Sequence, residues 1–304
     1  MNYYSILKVG FAAFLAIVPA CVWGYIFYKK QVGKKSMTMA TFIAGALFVT
    51  PLLIYKGLWQ YFPWINAFQY THPFKDDLVG FSSFGMIPLD VILTFMIVGV
   101  IEEVTKLWAV KMTDRRKKIR SIDDAVEMSI MAALGFSFAE NILYFYNILS
   151  GHGMDGILYP FIFRSLFSTF AHVMFSGVLG YYYGLALFAT DVVKEEHNNK
   201  RWLVTRWFAR LFHLKMNVVF HEEKMVQGLL IAVGLHAVFN ILLEMNWTFI
   251  LVPFLTGGFI YLSYLLEKKE DHKIYATVDE NRNDVEMRVM AAITSVPDVD
   301  KGLL

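Results

Sequence analysis

Three glutamates, two histidines and a lysine interrupt long apolar runs in this chain. These are the residues whose types and spacing could do chemistry. One run reads Gly99-Val100-Ile101-Glu102-Glu103-Val104-Thr105-Lys106, and a second carries Phe136-Ser137-Phe138-Ala139-Glu140-Asn141. A third holds Ala171-His172, and a fourth Leu235-His236-Ala237-Val238-Phe239-Asn240. Glutamate and histidine in a dry pocket support hydrolysis in two ways. They can bind Zn²⁺, whose water ionises near neutral pH; Glu140, His172 and His236 would then fill three positions, with Glu103 as general base. Alternatively, glutamate and histidine activate water directly while His236 and Asn240 polarise the scissile carbonyl. Either route needs a water-filled cavity closed to lipid.

Spacing adds detail. Glu102 and Lys106 are four apart, so they share a helical face and can neutralise each other. Glu103 is rotated by about 100° from Glu102, which predicts one structural glutamate and one that faces the site. His236 and Asn240 share a face, and Phe136 lies one turn before Glu140.

The elements that must position these groups are membrane helices. The 304 residues are 57% hydrophobic and only 18% charged, unlike a soluble domain of that length. A helix needs ~20 apolar residues to cross the hydrocarbon core. Such runs occur at Tyr4–Tyr28, Met37–Tyr55, Pro88–Val110, Ala125–Leu149, Phe161–Ala189, Met225–Met245 and Thr248–Leu266. The expected fold is therefore all-α, a polytopic bundle of about seven spans in the cell membrane. Lysine and arginine concentrate in alternate connections: Lys29–Lys35, Lys111–Arg120 and Lys194–Lys224. By the positive-inside rule these are cytosolic, which puts the N-terminus outside and the C-terminus inside. Arg164, at the outer end of the fifth run, is the one dissenting charge.

Helical rise sets the depth of each group. At ~1.5 Å per residue, Glu140 lies about 22 Å from the cytosolic start of its run, and His172 and His236 each about 16 Å from theirs. Glu102 and Glu103 lie about 20 Å from the outer start of the third run. All five fall in one central slab. A charge at that depth costs roughly 2.5–3.5 kcal/mol on insertion scales, so the set is expected to serve function.

The remaining chain is less informative. Residues 56–87 are aromatic-rich, with His72 beside Pro73, and read as an interfacial belt. Residues 191–224 form a basic amphipathic connection expected to lie on the inner leaflet, and 267–304 a charged cytosolic tail. The expected organisation is one membrane domain over 1–266 with its motif-bearing core at 88–245. Cys21 is the only cysteine, so no intramolecular disulfide forms. His221-Glu222-Glu223-Lys224-Met225 begins like a zinc HExxH helix but has methionine at the second histidine.

The motif series Glu102-Glu103-Val104-Thr105-Lys106, Phe136 to Asn141, His172 and His236 to Asn240 resembles that of the PrsW family of intramembrane proteases. The resemblance covers about Pro88 to Asn240. It implies a peptidase that cuts membrane-anchored proteins such as anti-sigma factors, with the lipid bilayer as its surroundings and no nucleic acid partner. It also implies kinship with the CAAX prenyl endopeptidases, whose second motif ends in histidine where Glu140 stands. Glu102, Glu103, Glu140, His172, His236 and Asn240 are carried over as the catalytic set. Zinc and direct water activation both stay open at this stage. A proton-coupled transporter and a non-proteolytic scaffold of the same fold are the competing readings.

Overall fold

The computed structural model describes residues 3–30, 35–59, 61–65, 87, 89–114, 118–189, 216–245 and 247–268. Among these residues all regular structure is helical. The elements are α1 (Tyr3–Lys30), α2 (Lys35–Leu47), α3 (Thr50–Leu58), a short 3₁₀ turn (Pro63–Ile65), α4 (Leu89–Thr113) and α5 (Ile122–Gly151). They continue with α6 (Leu158–Phe163), a π-helical segment (Arg164–Ser168), α7 (Thr169–Phe188), α8 (Met216–Glu244) and α9 (Thr248–Lys268).

Among the described residues six helical stretches are long and apolar enough to cross a membrane, against the expected seven. The exception is α4, which has 25 residues but carries Glu102, Glu103 and Lys106 in its middle. Its length is sufficient; its charge is what sets it apart, and the charges are those of the candidate site. Exposed Phe14, Ile54, Leu93 and Ile260 give the outer faces the apolar surface that lipid requires.

Three runs differ from expectation. Met37–Tyr55 is not one helix, because Pro51 offers no N–H to the Leu47 carbonyl. The chain breaks at Phe48–Val49, and the Thr50 hydroxyl donates to Leu47 O instead, at 2.8 Å. The fifth run starts earlier, at Leu158, and holds the π segment, which no apolar periodicity reveals. The sixth run, α8, reaches back to Met216.

Two stretches are the most enclosed. In α5, 67% of the apolar window is buried, and in Leu158–Phe188 61%, against 22% for Tyr3–Tyr25. The α5 helix starts on Ser121, whose hydroxyl accepts from Asp124 N at 3.2 Å, while Asp124 accepts from Arg120 N at 2.8 Å. Past its C-cap, Gly153 takes a positive φ of 72°. Small residues let the neighbours close in. A Cβ on Gly45 would overlap the Ala132 carbonyl, and one on Gly135 the Phe42 carbonyl, so α2 and α5 cross backbone to backbone. On the other side, a Cβ on Gly180 or Gly184 would come within 2.8 Å of Val126 Cα or Ile122 Cα. These approaches seat α7 against α5 and so bring His172 toward Glu140.

The chain forms two compact units, Met1–Phe188 with His221–Ser263 and Ala189–Phe220 with Tyr264–Leu304. Every candidate site residue belongs to the first. Of the second, the described residues are Ala189, the start of α8 and the end of α9. The outer aromatic stretch 66–86 with His72, most of the amphipathic connection (190–215) and the tail from 269 onward lie outside the described residues.

Candidate active site

Four elements converge on one buried cluster. The α4 helix supplies Glu102, Glu103 and Lys106, α5 supplies Glu140 and Asn141, α7 supplies His172 and Ser176, and α8 supplies His236. Glu102, Glu103, Lys106, His172 and His236 are all 3% exposed or less.

Lys106 sits at the centre. Its ammonium lies 2.7 Å from Glu103 Oε1, 2.9 Å from His172 Nδ1 and 3.6 Å from Glu102 Oε2. It also lies 4.8 Å above the ring of Phe136. The expected i,i+4 pair of Lys106 with Glu102 is present, but Glu103, three residues away and expected to point elsewhere, lies closer to the same ammonium. Both carboxylates also reach His236. Glu103 Oε1 is 2.9 Å from Nδ1, and Glu102 Oε2 is 3.4 Å from Nε2. A rotation of about 100° at the backbone does not keep these side chains apart, since both are long enough to bend toward one cation. Ser176 Oγ donates to the other oxygen of Glu103 at 3.2 Å.

Donor and acceptor inventories assign the imidazole tautomers. An ammonium only donates, so His172 Nδ1 accepts from Lys106. His172 Nε2 then carries the proton and donates to Glu140 Oε2 at 3.1 Å. A carboxylate only accepts, so His236 Nδ1 carries a proton and donates to Glu103. His236 Nε2 lies 3.4 Å from Glu102 Oε2, a buried oxygen that accepts no hydrogen bond among the described residues.

Charge points to the same place. Three carboxylates (Glu102, Glu103, Glu140) share two permanent cations, Lys106 and Arg164. Glu103 takes the first and Glu140 the second, at 2.7 Å from Arg164 Nη2. With both histidines neutral, one negative charge is left over, and Glu102, 3.6 Å from Lys106 Nζ, is the carboxylate held farthest from a cation. A buried uncompensated carboxylate is costly, and a cation bound between Glu102 Oε2 and His236 Nε2 would offset it.

The residues fit a metal ion in that respect. Glu102, His172 and His236 form a group whose ligand atoms all lie within 4.8 Å of one another. Two of its members are the histidines expected from the sequence; the carboxylate is Glu102, whereas Glu140 is held by Arg164 and His172. His172 could join such a group through Nδ1 only by releasing Lys106. Asn240, one turn beyond His236, is half-buried and makes no hydrogen bond to the cluster among the described residues.

Arg164 is what sequence reasoning missed. It was visible as a dissenting charge, yet the π segment that aims it inward was not. Its guanidinium reaches Asn141 Oδ1 through Nε at 2.5 Å and stacks 4.5 Å from the ring of Tyr144. Thr169 links the same groups, accepting from Ser137 at 3.3 Å and Asn141 at 3.4 Å while donating to Arg164 O at 2.9 Å.

Fold and cluster together define a class: a multi-pass helical membrane protein with an acid–base centre sealed inside its bundle. The chain belongs to the PrsW family, whose sequence model, described as PrsW family intramembrane metalloprotease, matches residues 33–266. That match extends beyond the motif-bearing stretch to include the second and last membrane helices. The chain is 24% identical over 275 residues to Protease PrsW of Oceanobacillus iheyensis, covering 89% of this chain and 98% of the relative. It is 24% identical over 180 residues to Protease PrsW of Shouchella clausii, covering 58% of this chain and 70% of the relative. It is 28% identical over 163 residues to Protease PrsW of Clostridioides difficile, covering 53% and 56%. No solved structure matches the chain.

Proposed function

We propose that this protein is an intramembrane endopeptidase that hydrolyses a peptide bond of a membrane-anchored protein, of the kind cut at a first site in anti-sigma factors. The observation that carries this reading is the buried pair of Glu102 Oε2 and His236 Nε2, 3.4 Å apart, in which the carboxylate oxygen accepts no hydrogen bond among the described residues. With His236 Nε2 unprotonated, a water bound at this pair gives one proton to Nε2 or to the Glu102 carboxylate as its oxygen adds to a carbonyl carbon. Glu102 and His236 are then the residues that take the proton as the water adds. Glu103, clamped by Lys106, Ser176 and His236, orients His236 and stabilises the imidazolium as it forms. Lys106 and the protonated Nε2 of His172 are the donors nearest to where an oxyanion develops. Burial of the whole set strengthens each of these interactions, because little solvent is there to screen them.

If zinc is the cofactor, Glu102, His172 and His236 are the residues that would hold it. It would lower the pKa of bound water to about 7 and polarise the scissile carbonyl. The charge alternation supports an orientation with the N-terminus outside and the C-terminus in the cytosol.

The test is cleavage of a tagged, single-span reporter protein by the purified enzyme in detergent. Wild type is compared with Glu102→Gln, Glu103→Gln and His236→Ala, each checked for folding by its thermal midpoint. Each variant is expected to lose at least about 100-fold in turnover, the scale of removing one acid–base group. Unchanged turnover in all three, with folding intact, would refute the proposed site.

A further inference from the structure

Span Leu158–Phe188 does not run as a plain α-helix. At Arg164–Ser168 it widens to a π turn, closed by the Thr169 N–H donating to Arg164 O. The phase of the helix changes there. In an uninterrupted α-helix, eight residues place Arg164 about 80° away from the direction of His172. One inserted residue takes out about 100°, which leaves the two side chains roughly 20° apart. The π turn is thus what puts Arg164 on the His172 face. The Thr169 hydroxyl holds it in place by donating to the same Arg164 carbonyl at 2.9 Å. The opposite side of this segment is apolar, with Phe163 and Phe167 lining a groove with Val252 of α9.

On that face the guanidinium is held by three groups of one α5 stretch. Nη2 meets Glu140 Oε2 at 2.7 Å, Nε meets Asn141 Oδ1 at 2.5 Å, and the plane stacks 4.5 Å from the Tyr144 ring. A planar fork satisfies all three at once, which a lysine ammonium cannot. Glu140 Oε2 is shared between Arg164 and His172 Nε2, so the place of the carboxylate decides where the imidazole points. Arg164 touches neither Glu102 nor His236 among the described contacts. With side chains 11% and 19% exposed, Arg164 and Glu140 form the wetter edge of a cluster that is otherwise sealed.

We propose that Arg164 is a positioning residue of the site: brought onto the His172 face by the π turn, it holds the Glu140 carboxylate against His172 Nε2 and so keeps Nδ1 turned to Lys106. The consequence for turnover rests on the peptidase reading; the placement of the imidazole does not.

The experiment therefore has two readouts. Solid-state ¹⁵N spectra of histidine-labelled full-length protein in liposomes report the His172 ring, assigned by its loss in His172→Gln. Reporter cleavage gives kcat and KM separately. In the wild type, the His172 signals should be those of a ring protonated at Nε2 with Nδ1 accepting. Arg164→Gln should split or shift them and lower kcat about 100-fold, the scale of a misplaced group near the chemistry, with KM within about threefold. Arg164→Lys, which keeps the charge and is the safer variant to fold, should restore kcat only partially, because the Asn141 arm is lost.

A lower thermal midpoint in either variant, with His172 signals and kcat unchanged, would make Arg164 merely structural and overturn the proposal. So would a fall in kcat with the His172 signals unmoved. Shifted signals in an enzyme whose wild type cuts no reporter would uphold the positioning role and sink the peptidase reading instead.

Discussion

Replacing Lys106 with methionine tests the core of the cluster without reference to activity. The ammonium is 1% exposed and lies 2.7 Å from a Glu103 carboxylate that is fully buried. Methionine fills much of the same volume, so the main change is electrical. Glu103 keeps Ser176 and His236, but loses its one cation, while Glu102 at 3.6 Å loses the same neighbour. Breaking a buried pair from one side costs about 3–5 kcal/mol, because a buried charge is left uncompensated. At roughly 2–4 °C per kcal/mol for a chain of this size, the thermal midpoint in detergent should fall by about 10 °C. Adding Glu103→Gln removes the stranded charge. The double variant should therefore recover about 2 kcal/mol relative to Lys106→Met alone, a coupling that a double-mutant cycle reads directly. A single-variant loss below about 1 kcal/mol, or no recovery in the double variant, would refute the claim that Lys106 is the cation of a dry ion pair.

Three further outcomes are expected. Metal analysis of purified protein tests which carboxylate belongs to the ligand group: Glu102→Gln and His236→Ala should lose bound zinc while Glu140→Gln retains most of it, and no stoichiometric zinc in the wild type would leave direct water activation as the mechanism. Gly135→Ala should lower stability by about 1–3 kcal/mol through overpacking, because its Cβ meets the Phe42 carbonyl, whereas Gly10→Ala, with nothing within 4 Å, should be neutral or slightly stabilising; equal midpoints for the two would refute the close crossing of α2 and α5. A fluorescent protein fused after Leu304 should mature and fluoresce, and a phosphatase fused there should be inactive; the reverse pattern would overturn the orientation read from the basic loops.

Much of the site was legible in the sequence. Glutamate and histidine inside apolar runs are expensive enough to stand out, and helical rise alone placed Glu102, Glu103, Glu140, His172 and His236 at one depth. The helix ends were legible within a few residues, except where α8 reaches back to Met216. What could not be read was which side chain meets which. Spacing on α4 gave Glu102 as a partner of Lys106, but not that Glu103 would bend toward the same cation and lie closer to it. The role of Arg164 was hidden for a different reason. A π turn changes helical phase without changing composition, so no hydrophobic pattern records it.

By itself, the amino-acid sequence determined that this chain is a bundle of membrane helices with acid and base groups at its centre, since hydropathy and the cost of burying charge are properties of residues in order. Only the tertiary structure decided how those groups divide the work. It seated Lys106 between Glu103 and His172, left Glu102 Oε2 facing His236 Nε2, and turned Arg164 inward onto Glu140. Contacts between helices depend on phase, close approach and side-chain reach, and those are fixed only when the helices pack.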